Sequence, residues 1–244
     1  MEQLTGMVEQ CRRNLESTPI SPSPDSKTDC VACGDTGWIL KEGNALPCAC
    51  SIERKIASRV PERYRKARLS DFESRIMQMV EAWAKKPTDG MLISGPVGTG
   101  KTHLAAALLR HLIESRREAT FCRAAQFYFD LRRTYNNSEL EETVFAELGA
   151  PVRRTEDKPR RRFLILDDLG AGSLSDHERR STLELLDRRL DACNPTIVTT
   201  NWNLEQIAER MDDRIASRIA SFYHLELAGQ DKRVPRTMKA AECS

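Results

Sequence analysis

One segment of the sequence combines glycines, a lysine and a threonine at the spacing typical of phosphate-binding loops. It reads Gly95-Pro96-Val97-Gly98-Thr99-Gly100-Lys101-Thr102 and is followed by His103. Glycines let backbone N–H groups surround phosphate oxygens, and the N-terminus of a following helix favours anions. Lys101 can reach the β- and γ-phosphates, and the Thr102 hydroxyl can bind Mg²⁺. We therefore predict a site for a nucleotide and Mg²⁺ at residues 95–103; the alternative is a glycine-rich turn without a ligand.

An apolar segment that ends in two carboxylates supplies a second part of this site. Phe163-Leu164-Ile165-Leu166 is typical of a buried strand, and Asp167 and Asp168 follow it. In phosphate-loop enzymes, a carboxylate on the neighbouring strand assists Mg²⁺ binding, which is the role we predict for Asp167. Asp168 can orient and polarise an attacking water. Asn201 ends another apolar strand and can hydrogen-bond the water or the γ-phosphate. The alternative for the two acids is a helix cap.

Four cysteines near the start of the chain have the spacing of a metal site. Cys30 and Cys33 form a C-x2-C pair, and Cys48 and Cys50 form a C-x-C pair fourteen residues later. Two close pairs of thiolates suit tetrahedral Zn²⁺, and four protein ligands leave no open position for catalysis. We predict a structural zinc site, with unliganded or redox cysteines as the alternative.

Length and composition restrict the remaining possibilities. The chain has 244 residues, 40% hydrophobic and 30% charged, with a net charge of +2. This is enough for one large domain and a small appendage. The near-neutral charge means that any nucleic-acid surface must be local. We expect no membrane span, because no apolar stretch reaches ~18 residues. With no signal-peptide pattern, we expect a cytoplasmic protein, in which cysteines favour metal binding over disulfides.

Strands and helices must alternate to position these residues. Apolar strands are predicted at residues 91–94, 119–123, 163–166, 195–201 and 222–227, with helices at 72–83, 104–113, 139–148, 176–190 and 205–221. Alternation of this kind indicates a parallel sheet covered by helices on both faces. Residues 38–44 between the cysteine pairs resemble a small hairpin.

Two clusters of basic residues are candidates for nucleic-acid contact. Arg132 and Arg133 lie beside Phe127 and Phe129, and rings with arginines can bind single-stranded nucleic acid. More often such rings belong to the core, so the arginines are the better candidates. A second cluster surrounds a loop with proline and contains Arg153, Arg154, Lys158, Arg160, Arg161 and Arg162. It suits a phosphate backbone, with a solvated loop as the alternative.

The order of these motifs resembles the AAA+ ATPases, and within them the bacterial and phage helicase loaders of the DnaC/DnaI type and the nearby IstB-type transposition helper ATPases. The resemblance runs from Cys30 onward. It rests on the four cysteines with Gly34-Asp35-Thr36-Gly37-Trp38, on Pro61-Glu62-Arg63-Tyr64, on Gly95 to Thr102, on Leu166-Asp167-Asp168-Leu169-Gly170, on Thr199-Thr200-Asn201 and on Arg214-Ile215-Ala216-Ser217-Arg218-Ile219.

The resemblance implies roles for three further positions. Asn201 corresponds to sensor 1, and Arg218 to an arginine finger that acts on ATP in a neighbouring subunit. A surface charge on an amphipathic helix is the alternative for Arg218. Arg233 corresponds to the sensor 2 arginine, although Lys232 or Arg236 could serve instead.

The resemblance also implies an architecture and a function. It gives a zinc segment (30–60) followed by an α/β AAA+ domain with a reduced lid (61–244). Before them, the spacing of apolar residues in 1–29 predicts an N-terminal helix, with a frayed terminus as the alternative, and the prolines and serines predict a linker. The expected protein binds ATP, Mg²⁺ and Zn²⁺, assembles with itself, and delivers a hexameric replicative helicase onto single-stranded DNA, with ATP hydrolysis as the release switch. Asp-Asp replaces the usual Asp-Glu of AAA+ enzymes, as in the loaders, which suggests slow hydrolysis. Alternatives are a transposition helper on duplex DNA, a phosphoryl-transferring kinase and a non-enzymatic zinc-containing DNA-binding regulator.

Overall fold

The computed structural model describes residues 30–41, 44–134, 137–149, 161–172 and 174–229. The predicted N-terminal helix and linker, the basic residues 153–160, Arg233 and the expected lid lie outside these ranges. The chain divides into two compact units, Met1–Ser51 and Ile52–Ser244. In the described ranges, no helix has the length and apolar character needed to cross a membrane.

The smaller unit contains the predicted hairpin. Strands β1 (Trp38–Lys41) and β2 (Asn44–Pro47) pair antiparallel, with Trp38 opposite Pro47 and Lys41 opposite Asn44. The Cys48 N–H donates to the Gly37 carbonyl at 2.8 Å, which closes the base of the hairpin. The hairpin therefore brings the segment after Cys33 back to Cys48.

The larger unit is built on a five-stranded parallel sheet. Its strands are β3 (Gly90–Ser94), β4 (Glu118–Arg123), β5 (Arg162–Leu169), β6 (Thr196–Thr200) and β7 (Tyr223–Glu226). They lie in the order β4-β5-β6-β3-β7, and each neighbouring pair is parallel. The predicted α/β class is confirmed.

Helices cover both faces of this sheet. They are α1 (Ala49–Arg59), α2 (Ser74–Lys85), α3 (Lys101–Glu114), α4 (Ala124–Arg133), α5 (Ser138–Gly149), α6 (Asp176–Asp191), α7 (Leu204–Arg210) and α8 (Asp213–Ala220). Successive side chains of a strand point to opposite faces. Met91 and Ile93 accordingly pack with α2 and α3, and Leu92 packs with α4 to α8. The predicted apolar face of α3 is buried throughout.

The single helix predicted for residues 205–221 is wrong, because two helices occupy this range. Helix α7 ends at Arg210, and α8 begins at Asp213. The Asp212 carboxylate accepts a hydrogen bond from the Arg214 N–H at 2.7 Å and caps α8. An aspartate at this position satisfies a helix N-terminus and favours a new start over continuation.

Candidate functional site

The candidate nucleotide site lies where three strands of the sheet end. The phosphate-binding loop follows β3, Asp167 and Asp168 lie near the end of β5, and Asn201 follows β6. In the sheet, β3 lies next to β6, which lies next to β5. Carboxyl ends of parallel strands share one edge, and ligands bind outside them where the strand order reverses. The topology thus brings together motifs that are more than a hundred residues apart in sequence.

The loop has backbone conformations that require glycine. Gly95 has φ 141°, and a Cβ there would lie 2.2 Å from the Leu227 carbonyl oxygen. Gly100 has φ 96° and precedes the first turn of α3. The Thr99 hydroxyl donates to the Pro96 carbonyl at 2.9 Å and fixes the turn between them. The loop is therefore held in shape by its own contacts and by the end of β7, with the N-terminus of α3 directed at it.

The Lys101 ammonium group lies inside the mouth of this loop. Its Nζ donates to the Gly95 carbonyl at 2.8 Å and to the Pro96 carbonyl at 2.6 Å. The side chain is buried. An ammonium group held by carbonyl oxygens of the loop can exchange them for the phosphate oxygens that the loop would surround.

A pair of oxygen atoms beside the loop fits a magnesium ion. The Thr102 hydroxyl donates to Asp167 Oδ2 at 3.3 Å. Neighbouring ligands of octahedral Mg²⁺ are about 3 Å apart when each lies at ~2.1 Å from the ion. Burial raises the pKa of the Asp167 carboxyl, and hydrogen bonds from Thr199 and Thr102 oppose this effect only in part. A buried carboxylate with a raised pKa gains from a cation that replaces the missing solvation.

Thr199 connects the two carboxylate residues, and sequence reasoning gave it no role of its own. Its hydroxyl donates to Asp167 Oδ1 at 2.7 Å and accepts the Asp168 N–H at 2.8 Å. Asp168 has φ 61°, a strained conformation for a residue with a side chain. The signal available in the sequence was a pair of threonines at the end of a buried strand, directly before Asn201.

The loops after β5 and β6 also contact each other. Gly170 has φ 90°, and a Cβ there would lie 2.3 Å from the Trp202 ring. The Arg210 guanidinium lies over the same ring, 5.4 Å from its centroid. The turn after Asp168 and the residue after Asn201 are therefore in direct van der Waals contact, which fixes the spacing of the two predicted catalytic side chains.

A cavity of about 460 Å³ lies beside the phosphate-binding loop. The predicted members are Val97, Gly98, Gly100, Lys101, Thr102, His103, Asp168 and Asn201. The further members are Arg63, Tyr64, Asp71, Phe72 and Thr199; the resemblance pointed to the segments of Arg63, Tyr64 and Thr199 but not to Asp71 and Phe72. His103 Nε2 and Asp71 Oδ2 are hydrogen-bonded at 2.8 Å. The Arg68 N–H, followed by His103, lowers the pKa of Asp71. The cavity thus has an aromatic side and a phosphate-binding side.

Arg218 is not among the residues that line this cavity. It lies on α8, and its Nε donates to Asp187 Oδ1 on α6 at 2.5 Å. Arg214, four residues earlier, forms an ion pair with Asp212. The side chain of Arg218 remains partly exposed, which leaves it accessible to a second copy of the chain.

The candidate DNA-contacting residues on α4 divide between core and surface. Phe127 is buried, as is usual for a ring on such a helix, whereas Phe129 is 48% exposed. The Arg133 guanidinium lies 5.8 Å from the Phe129 ring centroid, and Arg132 forms an ion pair with Glu178 at 3.1 Å. Of the four predicted side chains, Phe129 and Arg133 therefore form an exposed pair.

The four predicted cysteine ligands converge in the smaller unit. All four Sγ atoms lie within 4.8 Å of one another. The pairs Cys30–Cys48 and Cys33–Cys50 are 3.7 and 3.4 Å apart. Zn–S bonds of ~2.3 Å in a tetrahedron would place the sulfurs about 3.8 Å apart. Burial opposes ionisation of Cys33, but hydrogen bonds from Cys50 and the Gly37 N–H outweigh it, so its pKa is lowered to about 7. The residues therefore fit zinc.

Sequence comparison identifies a family and individual relatives. The profile of the family described as IstB-like ATP binding protein matches residues 62–220, more than half of the chain. The replicative helicase loader DnaC of Escherichia coli (strain K12) is 27% identical over 128 residues, 52% of this chain and 49% of that protein. The insertion sequence IS232 putative ATP-binding protein of Bacillus thuringiensis subsp. berliner is 23% identical over 168 residues, 66% and 62% of the two chains. This chain thus spans about half the length of the DnaC relative.

Structural comparison agrees on the fold. A crystal structure of the DnaC helicase loader superimposes with a TM-score of 0.55 and 24% identity, covering 69% of this chain and 100% of that one. The predicted AAA+ architecture is thereby confirmed for the larger unit. The family match and this fold together explain why the chain has a phosphate-binding loop and an acidic strand end. The chain belongs to the IstB-like ATP-binding proteins, the AAA+ ATPases of the DnaC/DnaI/IstB type.

Proposed function

We propose that this protein is an ATP-dependent loader of a hexameric replicative DNA helicase, acting in the cytoplasm at the start of DNA replication. The observation that carries the proposal is the arrangement of Thr102, Asp167 and Asp168 around the phosphate-binding loop. Relatives that are named replicative helicase loaders support the choice of this function within the family.

In this proposal, each predicted site residue has a defined task. The backbone N–H groups of residues 95–102, apart from Pro96, which has none, and the Lys101 ammonium bind the ATP phosphates, with His103 at the rim of the cavity. Thr102 and Asp167 hold Mg²⁺, which neutralises charge on the phosphate oxygens when bound. Asp168 polarises the attacking water, and Asn201 orients it. Arg233, outside the described residues, would act as sensor 2.

Completion of the site requires a second copy of the chain. Arg218 is held by Asp187 rather than at the cavity of its own chain. A neighbouring copy that offers phosphates and carboxylates would draw Arg218 into its site, where a guanidinium stabilises charge developed during hydrolysis. ATP therefore favours an oligomer in which each copy contributes Arg218 to the next, and hydrolysis weakens it and releases the helicase.

The two remaining contacts follow from the other surfaces. Phe129 and Arg133, with Arg132 beside them, would bind single-stranded DNA inside the oligomer. The zinc-bound segment, predicted as residues 30–60, would bind the helicase together with residues 1–29. Cys30, Cys33, Cys48 and Cys50 would hold this segment in shape, because it is too small to fold around an apolar core.

Size-exclusion chromatography with light scattering tests the loader function. The protein is mixed with the replicative helicase of its host, ATP and Mg²⁺. We expect the wild-type protein to form a complex of several copies per helicase hexamer. The Lys101→Ala variant should either fail to form this complex or fail to release the helicase normally. If the well-folded protein and helicase elute separately at micromolar concentrations under all nucleotide conditions, the loader function is refuted.

A transposition helper is the second candidate. The match to the IS232 protein, which covers more of both chains than the DnaC match, favours it. The helper would assemble on duplex DNA and direct a transposase. Failure to bind the helicase, combined with ATP-dependent assembly into long filaments or rings on duplex DNA, would support this candidate.

A further inference from the structure

A groove at the opposite end of the sheet from the nucleotide site is lined by arginines. β4 and β5 are adjacent and parallel, with Glu118 opposite Arg162 at their first residues. The residues just before both strands therefore lie side by side. They form a groove of about 470 Å³ lined by Ser115, Arg116, Arg117, Glu118 and Arg161, which we call the amino-edge groove.

Among the residues that the structure describes, the positive charge of the amino-edge groove is not neutralised by ion pairs. Its one carboxylate, on Glu118, accepts Arg59 Nη1 at 2.8 Å and Lys55 Nζ at 3.4 Å, so two further cations already surround it. Across the described ranges, Arg116, Arg117 and Arg161 have no carboxylate within ion-pair distance. The groove thus presents three guanidinium groups beside an acid that is already paired.

Two of the three arginines are positioned by neutral groups that leave their charge available. Arg117 lies with its guanidinium 5.7 Å from the centroid of the buried Phe163 ring. Arg161 Nη1 donates to the Pro87 carbonyl at 2.9 Å. A planar guanidinium that is held in place loses less entropy when it binds a phosphate, and its fork of N–H groups matches two phosphate oxygens.

The third arginine is fixed through its backbone. Arg116 has φ 58°, and its N–H donates to the Ile113 carbonyl at 2.9 Å, while the Arg117 N–H donates to the Leu112 carbonyl at 2.8 Å. These bonds close the C-terminus of α3 and direct Arg116 to solvent, where it is exposed. The backbone of the groove is thus an ordered helix end joined to β4.

Two further cations, Arg162 and Arg59, lie close to each other beside the amino-edge groove. Burial, followed by repulsion from Arg59, lowers the pKa of Arg162, the first residue of β5. Crowded cations of this kind gain when a polyanion binds and releases its counterions.

We propose that the amino-edge groove binds the phosphate backbone of duplex DNA. No exposed aromatic ring lies among the described residues that line it, so it offers backbone contacts without a stacking platform for unpaired bases. Phe129 and Arg133 supply such a platform on α4, and they suit single strands instead. From Arg162 to Asp167, β5 advances by five residue steps, which span ~17 Å. The duplex site is therefore separate from the ATP site.

Fluorescence anisotropy with labelled 20-base-pair duplex and 20-nucleotide single strand tests this proposal, without nucleotide and over a series of salt concentrations. The double variant Arg116→Glu and Arg161→Glu changes two exposed side chains outside the ATP site. We expect its duplex affinity to fall about tenfold or more, and the salt slope to fall by roughly two phosphate contacts. Single-strand affinity and ATP affinity should remain at the wild-type values.

Two further variants separate this effect from net charge. Arg75→Glu with Arg180→Glu makes the same change of charge on α2 and α6 and should leave duplex binding intact. Glu118→Gln removes the groove's carboxylate and should tighten duplex binding. The proposal is overturned if the control double variant loses as much duplex affinity as the groove variant, if single-strand affinity falls equally, or if the wild-type protein does not bind duplex at low salt.

Discussion

Thr199 is the residue through which the site geometry can be tested most directly. Thr199→Val keeps the size and branching of the side chain and removes only its hydroxyl. That hydroxyl donates to Asp167 and accepts the Asp168 N–H, at 2.7 and 2.8 Å. The substitution therefore frees both predicted catalytic and metal-binding acids at once, without opening a cavity.

The size of the effect follows from the lost hydrogen bond to the Asp167 carboxylate. A bond to a charged carboxylate contributes about 1.5–3 kcal/mol. If this stabilisation is needed to hold Asp167 and Asp168 in their reactive geometry, ATP turnover should fall roughly 10- to 150-fold. The loss of the bond also raises the already raised pKa of Asp167 further. The decrease in turnover should therefore be larger at acidic pH than at alkaline pH.

Thr200→Val is the matched control for this measurement. Thr200 is equally buried, and its hydroxyl also has one acceptor, the Leu169 carbonyl at 2.8 Å, and one donor, the Trp202 N–H at 3.2 Å. Both variants should lose about 1–3 kcal/mol of unfolding free energy. Steady-state phosphate release, measured with saturating ATP and Mg²⁺, should fall much more for Thr199→Val. Equal loss in both variants, or wild-type turnover in Thr199→Val, would refute the reasoning.

Three other perturbations address the arginine, the zinc segment and the acid of the amino-edge groove. Arg218→Ala should abolish ATP hydrolysis and keep ATP affinity, whereas Arg214→Ala, on the same helix, should hydrolyse normally; lost affinity with normal turnover per bound nucleotide would contradict the finger role. Cys33→Ser should lose zinc by atomic absorption and unfold the smaller unit while ATP still binds, and a full zinc content would exclude this ligand set. Burial raises the pKa of Glu118, but the hydrogen bonds and positive charges of Arg59 and Lys55 lower it by more, so this pKa lies below its ordinary 4.5. The stabilisation by ionised Glu118 is therefore present above pH 4.5 and lost as pH falls through the folded pKa. Glu118→Gln should lower the melting temperature at neutral pH but not at acid pH. An equal difference in melting temperature at both pH values would argue against this role of Glu118.

The parts of the site that the sequence could predict are those specified by local patterns. The phosphate-binding loop requires glycine at 95, where a side chain would collide with Leu227, and favours it at 98 and 100, where φ is positive, so the residue types are constrained together. Asp167 and Asp168 could be located because two acids directly follow an apolar run typical of a buried strand, although β5 itself continues to Leu169. The cysteine pairs could be located because two ligands on one tight turn need a short spacing.

The parts that were missed depend on contacts between distant elements. Arg189 lies in the highly charged α6, and such a residue is normally exposed. Here it is fully buried, and it donates to Thr196 Oγ1 and to carbonyls including Arg162 and Pro195, each at 2.8 Å. Burial lowers its pKa to about 9. No periodicity could reveal this, because these acceptors lie at the starts of β5 and β6.

The break between α7 and α8 was missed for a related reason. The apolar spacing of residues 205–221 is compatible with one helix, and only the capping bond of Asp212 shows where the second begins. Thr199 is similar, since its importance comes from two acids on the neighbouring strand. Local composition predicts which elements form, whereas tertiary hydrogen bonds decide where they stop and which polar groups they serve.

The contact between Trp202 and Gly170 makes Trp202 an intrinsic fluorescent reporter of the nucleotide site. The indole lies against the turn that follows Asp168 and next to Asn201. The Arg210 guanidinium lies over its ring. Of the three tryptophans, Trp83 is buried against the Phe163 ring, and Trp38 lies in the smaller unit. Replacing Trp38 with phenylalanine would leave Trp202 as the emitter closest to the reacting groups. Its emission could then follow nucleotide arrival and departure in a stopped-flow instrument without any attached dye.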